Sequence, residues 1–238
     1  KYTGKVWKYD LWCWNNRKEY RESKYTVSDG NIKKVDFVDK IQPTQIGGIF
    51  CGLKNLKTIE NLDNLDTSQT KGSSFAFAGC ESLTGLDLSH FNTSKMTNMV
   101  SMFYNCSNLT AVDLSSFDTS KVTSMKEMFS GCTSLSQLDI SNFDTGKNRS
   151  LKDMFKDDTS LSKISLGSKF VVPSSADSLF VSPLRTFTGK SSTGAWGLGS
   201  ESTAKTYAAD ELTALGKTAG ALEGTWYAQN KGTYTVKF

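Results

Sequence analysis

The chain is built around an internal repeat with a period of 26 residues. One repeat position is occupied in turn by Cys80, Cys106, Cys132 and Asp158. The surrounding sequence recurs with the same spacing, as in CSNLTAVDLSSFDTSKVTSMKEMFSG at 106–131. The repeats run from about residue 52 to residue 170, and the first copy carries about one inserted residue. Because a single short unit cannot bury its apolar side chains alone, we expect neighbouring units to stack on a shared core.

Each repeat predicts a strand, a turn and a helix. The alternation at 112–114 predicts a short half-buried strand. The Asp-Thr-Ser sequence at 118–120 supplies turn and cap side chains. Val122, Met125 and Met128 then follow at steps of three, which predicts a short helix. We therefore expect an α/β fold, a short leucine-rich-repeat solenoid of about four to five 26-residue strand-turn-helix units with β-rich terminal caps.

The repeats divide the chain into three parts. We expect an N-terminal β-rich cap at 1–51, the leucine-rich-repeat solenoid at 52–170 and a C-terminal cap at 171–238. In the last part, the sequence predicts a short helix around 208–215 and a β-hairpin within 226–236. All five tryptophans fall in the two caps, where they either cover the last coil or form a sugar-stacking platform.

Stacking places equivalent residues beside one another, and this predicts the core. Two ladders of phenylalanine rings account for much of the high phenylalanine content: Phe91, Phe117 and Phe143 form one, and Phe77, Phe103, Phe129 and Phe155 form the other. The three repeat cysteines are interpreted as small buried residues in a ladder of their own. Cys13 and Cys51 lie outside that pattern, and a disulfide between them would pin the N-terminal cap to the first coil.

Composition excludes several kinds of chemistry. The single histidine, His90, rules out metal sites and catalytic schemes that need a histidine pair. It occupies the slot held by Ser116 and Asn142 in the following repeats, so we interpret it as an exposed, replaceable side chain. No cluster of titratable residues converges, so we expect neither an enzyme nor a cofactor. The net charge of +4 does not indicate nucleic-acid binding, and no apolar run is long enough to insert into a membrane.

An acidic side chain recurs at the outward strand position, followed two residues later by serine. With strands about 4.8 Å apart, these carboxylates form a ladder of like charges. They are either satisfied by nearby hydroxyls and lysines, or they form a stripe on the concave face that binds a basic or hydroxyl-rich ligand. Calcium is disfavoured, because the spacing lacks the dense ligand set of a calcium loop. The candidate ligand-binding residues are Asp87, Asp113, Asp139, Ser89, Ser115 and Ser141.

The phrase LxxLDLSxFDTSKVTxMxxMFxxC resembles the repeat of BspA-family leucine-rich-repeat surface proteins, and residues 106–132 match it almost letter for letter. The flanking KYTGKVWKYD and GTWYA resemble the flanks of such repeats in lactobacilli and their relatives. The resemblance implies an exported protein of Gram-positive bacteria that adheres to host surfaces, and it brings no catalytic residues. No LPxTG motif occurs, so we expect wall anchoring through a segment outside this sequence.

Our hypothesis is therefore an extracellular, cell-surface adhesin. Its expected partners are host mucin or another glycoprotein, the epithelial surface, or an extracellular-matrix protein. The rigid repeat surface would bind as a monomer displayed in many copies on the cell wall. The alternative is a structural spacer or bacterial self-association module with no dedicated host ligand.

Overall fold

The computed structural model describes residues 32–173, 186–187, 190–191, 195–198, 206–208, 211 and 214–229. Its strands are short, and within the repeats one strand occurs in each unit. The strands are β1 (Lys34–Asp36), β2 (Thr58–Glu60), β3 (Gly85–Asp87), β4 (Ala111–Asp113), β5 (Gln137–Ile140), β6 (Lys163–Leu166), β7 (Thr186–Phe187), β8 (Lys190–Ser191), β9 (Ala195–Leu198), β10 (Thr206–Ala208) and β11 (Gly224–Gln229). Among the described residues, one 3-10 turn is present, at Leu62–Asn64.

The strands of successive repeats lie side by side in parallel pairs. β1 pairs with β2, β3 with β4, and β5 with β6. In β4 the predicted alternation holds, since Val112 is half-buried between two exposed neighbours and Leu114, just beyond the strand, is buried. The expected repeat strand is therefore present, although the strands form separate pairs rather than one continuous sheet.

The C-terminal segment extends the last pair of repeat strands. β11 pairs antiparallel with β6 on one side and β9 on the other, in a five-stranded sheet of order β10-β9-β11-β6-β5. Trp226 in β11 is buried, and its indole Nε1 donates a hydrogen bond to the carbonyl oxygen of Leu222 at 2.9 Å. This tryptophan therefore covers the end of the stack. The side chains of the other four tryptophans, and the predicted hairpin partner at 234–236, lie outside the described residues.

The predicted strand-turn-helix unit is wrong, because residues 52–170, all described, contain no α-helix. The steps of three at Val122, Met125 and Met128 come from consecutive tight turns instead. The backbone N–H of Met128 donates to the carbonyl of Met125 at 3.2 Å, whereas that of Phe129 donates to Met154 in the next repeat at 3.0 Å. Alternate amides therefore bond within the turn and across to the neighbouring repeat. Outside the repeats, helical backbone is found at Glu211, Ala214 and Leu215.

Left-handed backbone conformations explain why these turns cannot continue as a helix. Every residue of a right-handed helix needs a negative φ. Here φ is +57° at Glu127 and +80° at Gly131. The same two repeat positions are left-handed in the other copies, at Phe75, Ser101 and Asp153 and at Gly79, Asn105 and Asp157. Gly, Asn and Asp at the second position are the residues that tolerate this conformation best.

The core is formed by the predicted ladders. The rings of Phe77, Phe103 and Phe129 stack with centroids 5.6 and 5.4 Å apart, and Phe155 continues the ladder at 6.0 Å. Phe50, from the part of the chain before the predicted solenoid, joins it at 5.1 Å. The rings of the other ladder are buried as well, and Phe117 and Phe143 stack at 6.5 Å.

Buried threonines tie each repeat to the next. The hydroxyl of Thr119 donates to the carbonyl of Asp144 at 3.0 Å and accepts from the N–H of the same residue at 2.8 Å. The Thr119 hydroxyl therefore satisfies both backbone groups of Asp144, as a paired strand would. The same exchange occurs at Thr67, Thr93 and Thr145. These bonds explain the threonine that recurs in every copy of the repeat.

The repeat cysteines are buried free thiols, as predicted. Each donates a weak hydrogen bond to a carbonyl of the preceding repeat, as Cys106 does to Phe77 at 3.1 Å. Burial raises the pKa of Cys106 to about 12, so the thiol stays neutral and unreactive. Cys51 is disulfide-bonded, as the predicted pair with Cys13 requires, and Cys13 itself lies outside the described residues.

Candidate binding surface

The predicted carboxylates lie exposed at the ends of the repeat strands. In each case a carboxylate oxygen accepts a hydrogen bond from the backbone N–H of the serine two residues on. The distances are 2.9 Å for Asp87 and Ser89, 2.9 Å for Asp113 and Ser115, and 3.0 Å for Asp139 and Ser141. We call these six residues the acidic row.

The hydrogen bonds of the acidic row favour its charged form. The backbone N–H of Ser115, followed by its hydroxyl, lowers the pKa of Asp113, while the neighbouring Asp87 opposes this effect. The same two groups of Ser89 lower the pKa of Asp87. Both carboxyls therefore stay ionised at neutral and mildly acidic pH, and both residues are exposed to solvent.

The acidic row is divided into two parts by the sheet pattern. Asp87 and Asp113 lie directly opposite one another in the β3–β4 pair. Asp139, in β5, lies opposite Ser165 in β6 instead. The structure therefore brings two of the three carboxylates into direct register, and the expected continuous ladder is interrupted between β4 and β5.

A second row of identical turns lies elsewhere on the repeats. Asp118 accepts from the N–H of Ser120 at 3.0 Å, and Asp144 accepts from Gly146 at the same distance. Asp118 and Ser120 belong to the turn that the sequence predicts at 118–120, and Asp144 and Gly146 occupy the same positions one repeat later. Since they make the same local contact as the acidic row, that contact stabilises the turn and does not by itself mark a binding site.

A depression of about 400 Å³ lies between β2 and β3, at a place where no sequence pattern predicts one. Lys57, Asp63, Asp87 and His90 contribute polar groups to its lining. His90 is exposed, and its Nε2–H donates to the carbonyl of Leu62 at 2.9 Å. Ser116 and Asn142 make the equivalent bond one and two repeats later, which confirms that the three share one slot.

The described residues hold no group of three or more His, Cys, Asp or Glu side chains placed to bind a metal ion. Within the same part of the chain, no helix has the length and apolar character needed to cross a membrane.

These features define a class of protein, a stack of short β-strand and turn repeats with an ordered polar surface. A family model described as "Mycoplasma protein of unknown function, DUF285" matches residues 21–111 and 71–178. The two matches together span well over half of the chain, so it belongs to this family of BspA-like repeat proteins. Searches of the curated proteins and of the solved structures gave no match.

Proposed function

We propose that this chain is the binding region of a bacterial cell-surface adhesin of the kind found in lactobacilli and other Gram-positive bacteria. The observation that carries the proposal is the acidic row, whose ionised carboxylates are exposed on a rigid stack. Membership of a family of BspA-like repeat proteins agrees with it. Its partners would be host mucin, another glycoprotein or an extracellular-matrix protein.

The proposed mechanism is multivalent polar contact. The exposed side chains of Asp113 and Ser115 offer oxygen atoms to a basic or hydroxyl-rich ligand, and the Asp-Ser pairs at 87–89 and 139–141 offer the same groups. Individual exposed contacts of this kind contribute about 1 kcal/mol or less. Many copies on one cell wall would convert such weak contacts into firm adhesion. The stack needs no rearrangement to bind, since its core is fully packed.

Substitution in the acidic row tests this proposal. Asp113→Asn keeps the oxygen that accepts from Ser115 and removes the charge, so the fold is preserved. We expect about fivefold weaker binding to immobilised mucin or fibronectin in a plate assay, with an unchanged melting temperature. Asp118→Asn is the matched control, because Asp118 makes the same turn contact outside the acidic row.

Unchanged binding by Asp113→Asn and by the double variant with Asp139→Asn would contradict the proposal. Attachment only between cells that both display the protein would favour the alternative of a spacer or self-association module. Extracellular location is part of the proposal and is checked by labelling intact cells with an antibody against this chain.

A further inference from the structure

The parallel strand ladder is interrupted between β2 and β3, which belong to successive repeats. β2 pairs only with β1, and β3 only with β4. The interruption coincides with the inserted residue, since Phe50 and Phe77 lie 27 residues apart while the later ring positions lie 26 apart. Each of the two strands therefore has an edge that no other described strand covers.

Contacts on the far side of β2 tie the strand and the residue after it to β1. The Nδ2 group of Asn61 donates to Asp36 at 2.8 Å, and Glu60 forms an ion pair with Lys34. Asn61 itself is left-handed, with φ at +51°. A residue in this conformation beside a strand is typical of a bulge that ends pairing, and bulges are frequent next to binding sites.

The depression between the two strands is lined by charged side chains. Lys57 and Asp63 form no ion pair or side-chain hydrogen bond with another residue of the described chain. Asp87 is an exposed residue, and its Oδ1 accepts a hydrogen bond from the backbone N–H of Ser89. Of the charged groups lining the depression, two are therefore acidic and one is basic, with His90 beside them.

The backbone of β3 is open to a ligand at Gly85. The equivalent positions in the next two repeats are Ala111 and Gln137, so the glycine is specific to this repeat. Its φ is not in the left-handed region, and a Cβ would meet its nearest atom at 4.0 Å. The fold therefore does not require glycine here. Glycine within a strand is typical of a place where another backbone approaches closely.

We propose that the depression between β2 and β3 binds an extended peptide segment carrying a lysine or arginine side chain. The peptide main chain pairs with the free edge of β3 at Gly85, in the manner of strand addition. The basic side chain lies between Asp63 and Asp87, and its aliphatic part packs on Ile59 and Leu86. No Phe, Tyr or Trp is among the described residues lining the depression, so a stacked sugar ring is not favoured.

This site goes beyond the proposed adhesion through the acidic row, with which it shares only Asp87. The two are separated by substitutions that leave Asp113 and Asp139 intact. Gly85→Val adds a branched side chain to the lining of the depression at a position where a Cβ meets no atom closer than 4.0 Å, and Ala111→Val is its matched control on the paired strand β4. Asp63→Asn removes one of the two charges expected to contact the basic side chain.

The probes are fluorescent pools of capped hexapeptides with lysine at the third position and random residues elsewhere. A second pool has glutamate at that position, and a third has lysine with methylated amides on both sides of it. We expect the lysine pool to bind by anisotropy, and the other two pools to bind at least about tenfold more weakly. Bound peptide should also slow amide hydrogen exchange in residues 85–87.

We expect Gly85→Val and Asp63→Asn to weaken binding of the lysine pool about tenfold, while Ala111→Val leaves it unchanged. Equal binding of all three pools, no binding of any pool, or unchanged binding by Gly85→Val would each overturn the proposal. Binding of glycans and not of peptides at this depression would also overturn it. If Asp113→Asn weakens adhesion but leaves binding of the lysine pool unchanged, that result concerns the acidic row and not this site.

Discussion

Successive repeats are joined in different ways on two sides of the stack. The strand side carries β1 to β6, and the phenylalanine side carries the stacked rings of Phe50, Phe77, Phe103 and Phe129. On the strand side, the ladder between repeats is interrupted between β2 and β3 and again between β4 and β5. On the phenylalanine side, the backbone bonds from repeat to repeat continue at every step. The N–H groups of Phe50, Phe77, Phe103 and Phe129 donate to the next repeat at 2.9, 2.9, 2.9 and 3.0 Å.

This difference indicates that the phenylalanine side holds the repeats together, and it agrees with the proposal that the strand side is the binding surface. The phenylalanine side combines stacked rings with an unbroken set of hydrogen bonds, so it holds the repeats together. The strand side leaves backbone edges and charged side chains exposed to solvent. A surface of this kind can change its residues from repeat to repeat at small cost in stability, which suits a binding function.

The largest effect is expected from breaking the phenylalanine side. Phe129→Ala removes a fully buried ring between two stacked neighbours, and we expect a loss of about 3–5 kcal/mol in the free energy of unfolding. Val112→Ala, at the half-buried centre of strand β4, should lose about 1 kcal/mol. Denaturant unfolding measures both values.

A Phe129→Ala variant that unfolds at the same denaturant concentration as the Val112→Ala variant would contradict the assignment of cohesion to the phenylalanine side. Phe129→Leu is a useful intermediate, because it keeps apolar volume but loses ring stacking. We expect its loss to fall between the other two.

The sequence could predict one side of the repeat better than the other, for a physical reason. The alternation of apolar and polar residues at 112–114 predicts a strand directly, and phenylalanines spaced by 26 residues predict stacked rings. Steps of three at Val122, Met125 and Met128 fit both a helix and a series of three-residue turns. Hydrogen bonds to the next repeat decide between the two, and such bonds are not visible within one unit. Gly79 and Gly131, at one repeat position, were the available signal for left-handed turns.

The candidate site shows the same limit. The positions and exposure of Asp87 and Asp113 follow from strand alternation, and both are where the sequence places them. The interruption of the ladder between β4 and β5 depends on sheet geometry, which no spacing reveals. The depression beside β2 coincides with one inserted residue near Asn61, and the spacing of the repeats does not reveal that the strands there are unpaired.

The second largest effect is expected at Asp158, which occupies the cysteine position in the last repeat. It is fully buried, and one oxygen accepts from the N–H of Cys132 at 2.8 Å, while the other has no partner among the described residues. Burial raises the pKa of this carboxyl to about 8, and the charge of Asp157 adds to the effect. The folded protein therefore keeps a proton that the unfolded chain releases above about pH 4.

Stability should consequently fall as pH rises between these two pKa values, and level off above about pH 8. With the full slope of one proton, the free energy of unfolding falls by roughly 3 kcal/mol between pH 5 and pH 7. We expect Asp158→Cys, which restores the ladder residue, to remove this slope in chemical unfolding measured at several pH values. Asp157→Asn is the exposed control and should keep most of it. An unchanged slope in Asp158→Cys would show that another group is responsible.

A smaller effect is expected from the threonine links between repeats. Thr119→Val removes the hydroxyl that serves both backbone groups of Asp144, and leaves these two part-buried polar groups without that partner. We expect a loss of about 1–3 kcal/mol in the free energy of unfolding. Thr123→Val, in the same repeat as Thr119, removes an exposed hydroxyl that donates to the carbonyl of Thr97 in the preceding repeat at 3.0 Å, and should cost less than about 0.5 kcal/mol. Equal losses in the two variants would contradict the structural role given to Thr119.

The smallest effect tests the left-handed position that prevents a helix. Asp157 is exposed with φ at +63°, at the repeat position that Gly79 and Gly131 occupy. Asp157→Gly should stabilise the fold by up to about 1 kcal/mol, because glycine adopts this conformation without steric cost. Lys156→Gly, at an exposed neighbour with ordinary φ, should destabilise it by about 0.5–1 kcal/mol. Destabilisation by both glycines would show that residue 157 is not left-handed in solution, and would reopen the question of a helix on the phenylalanine side.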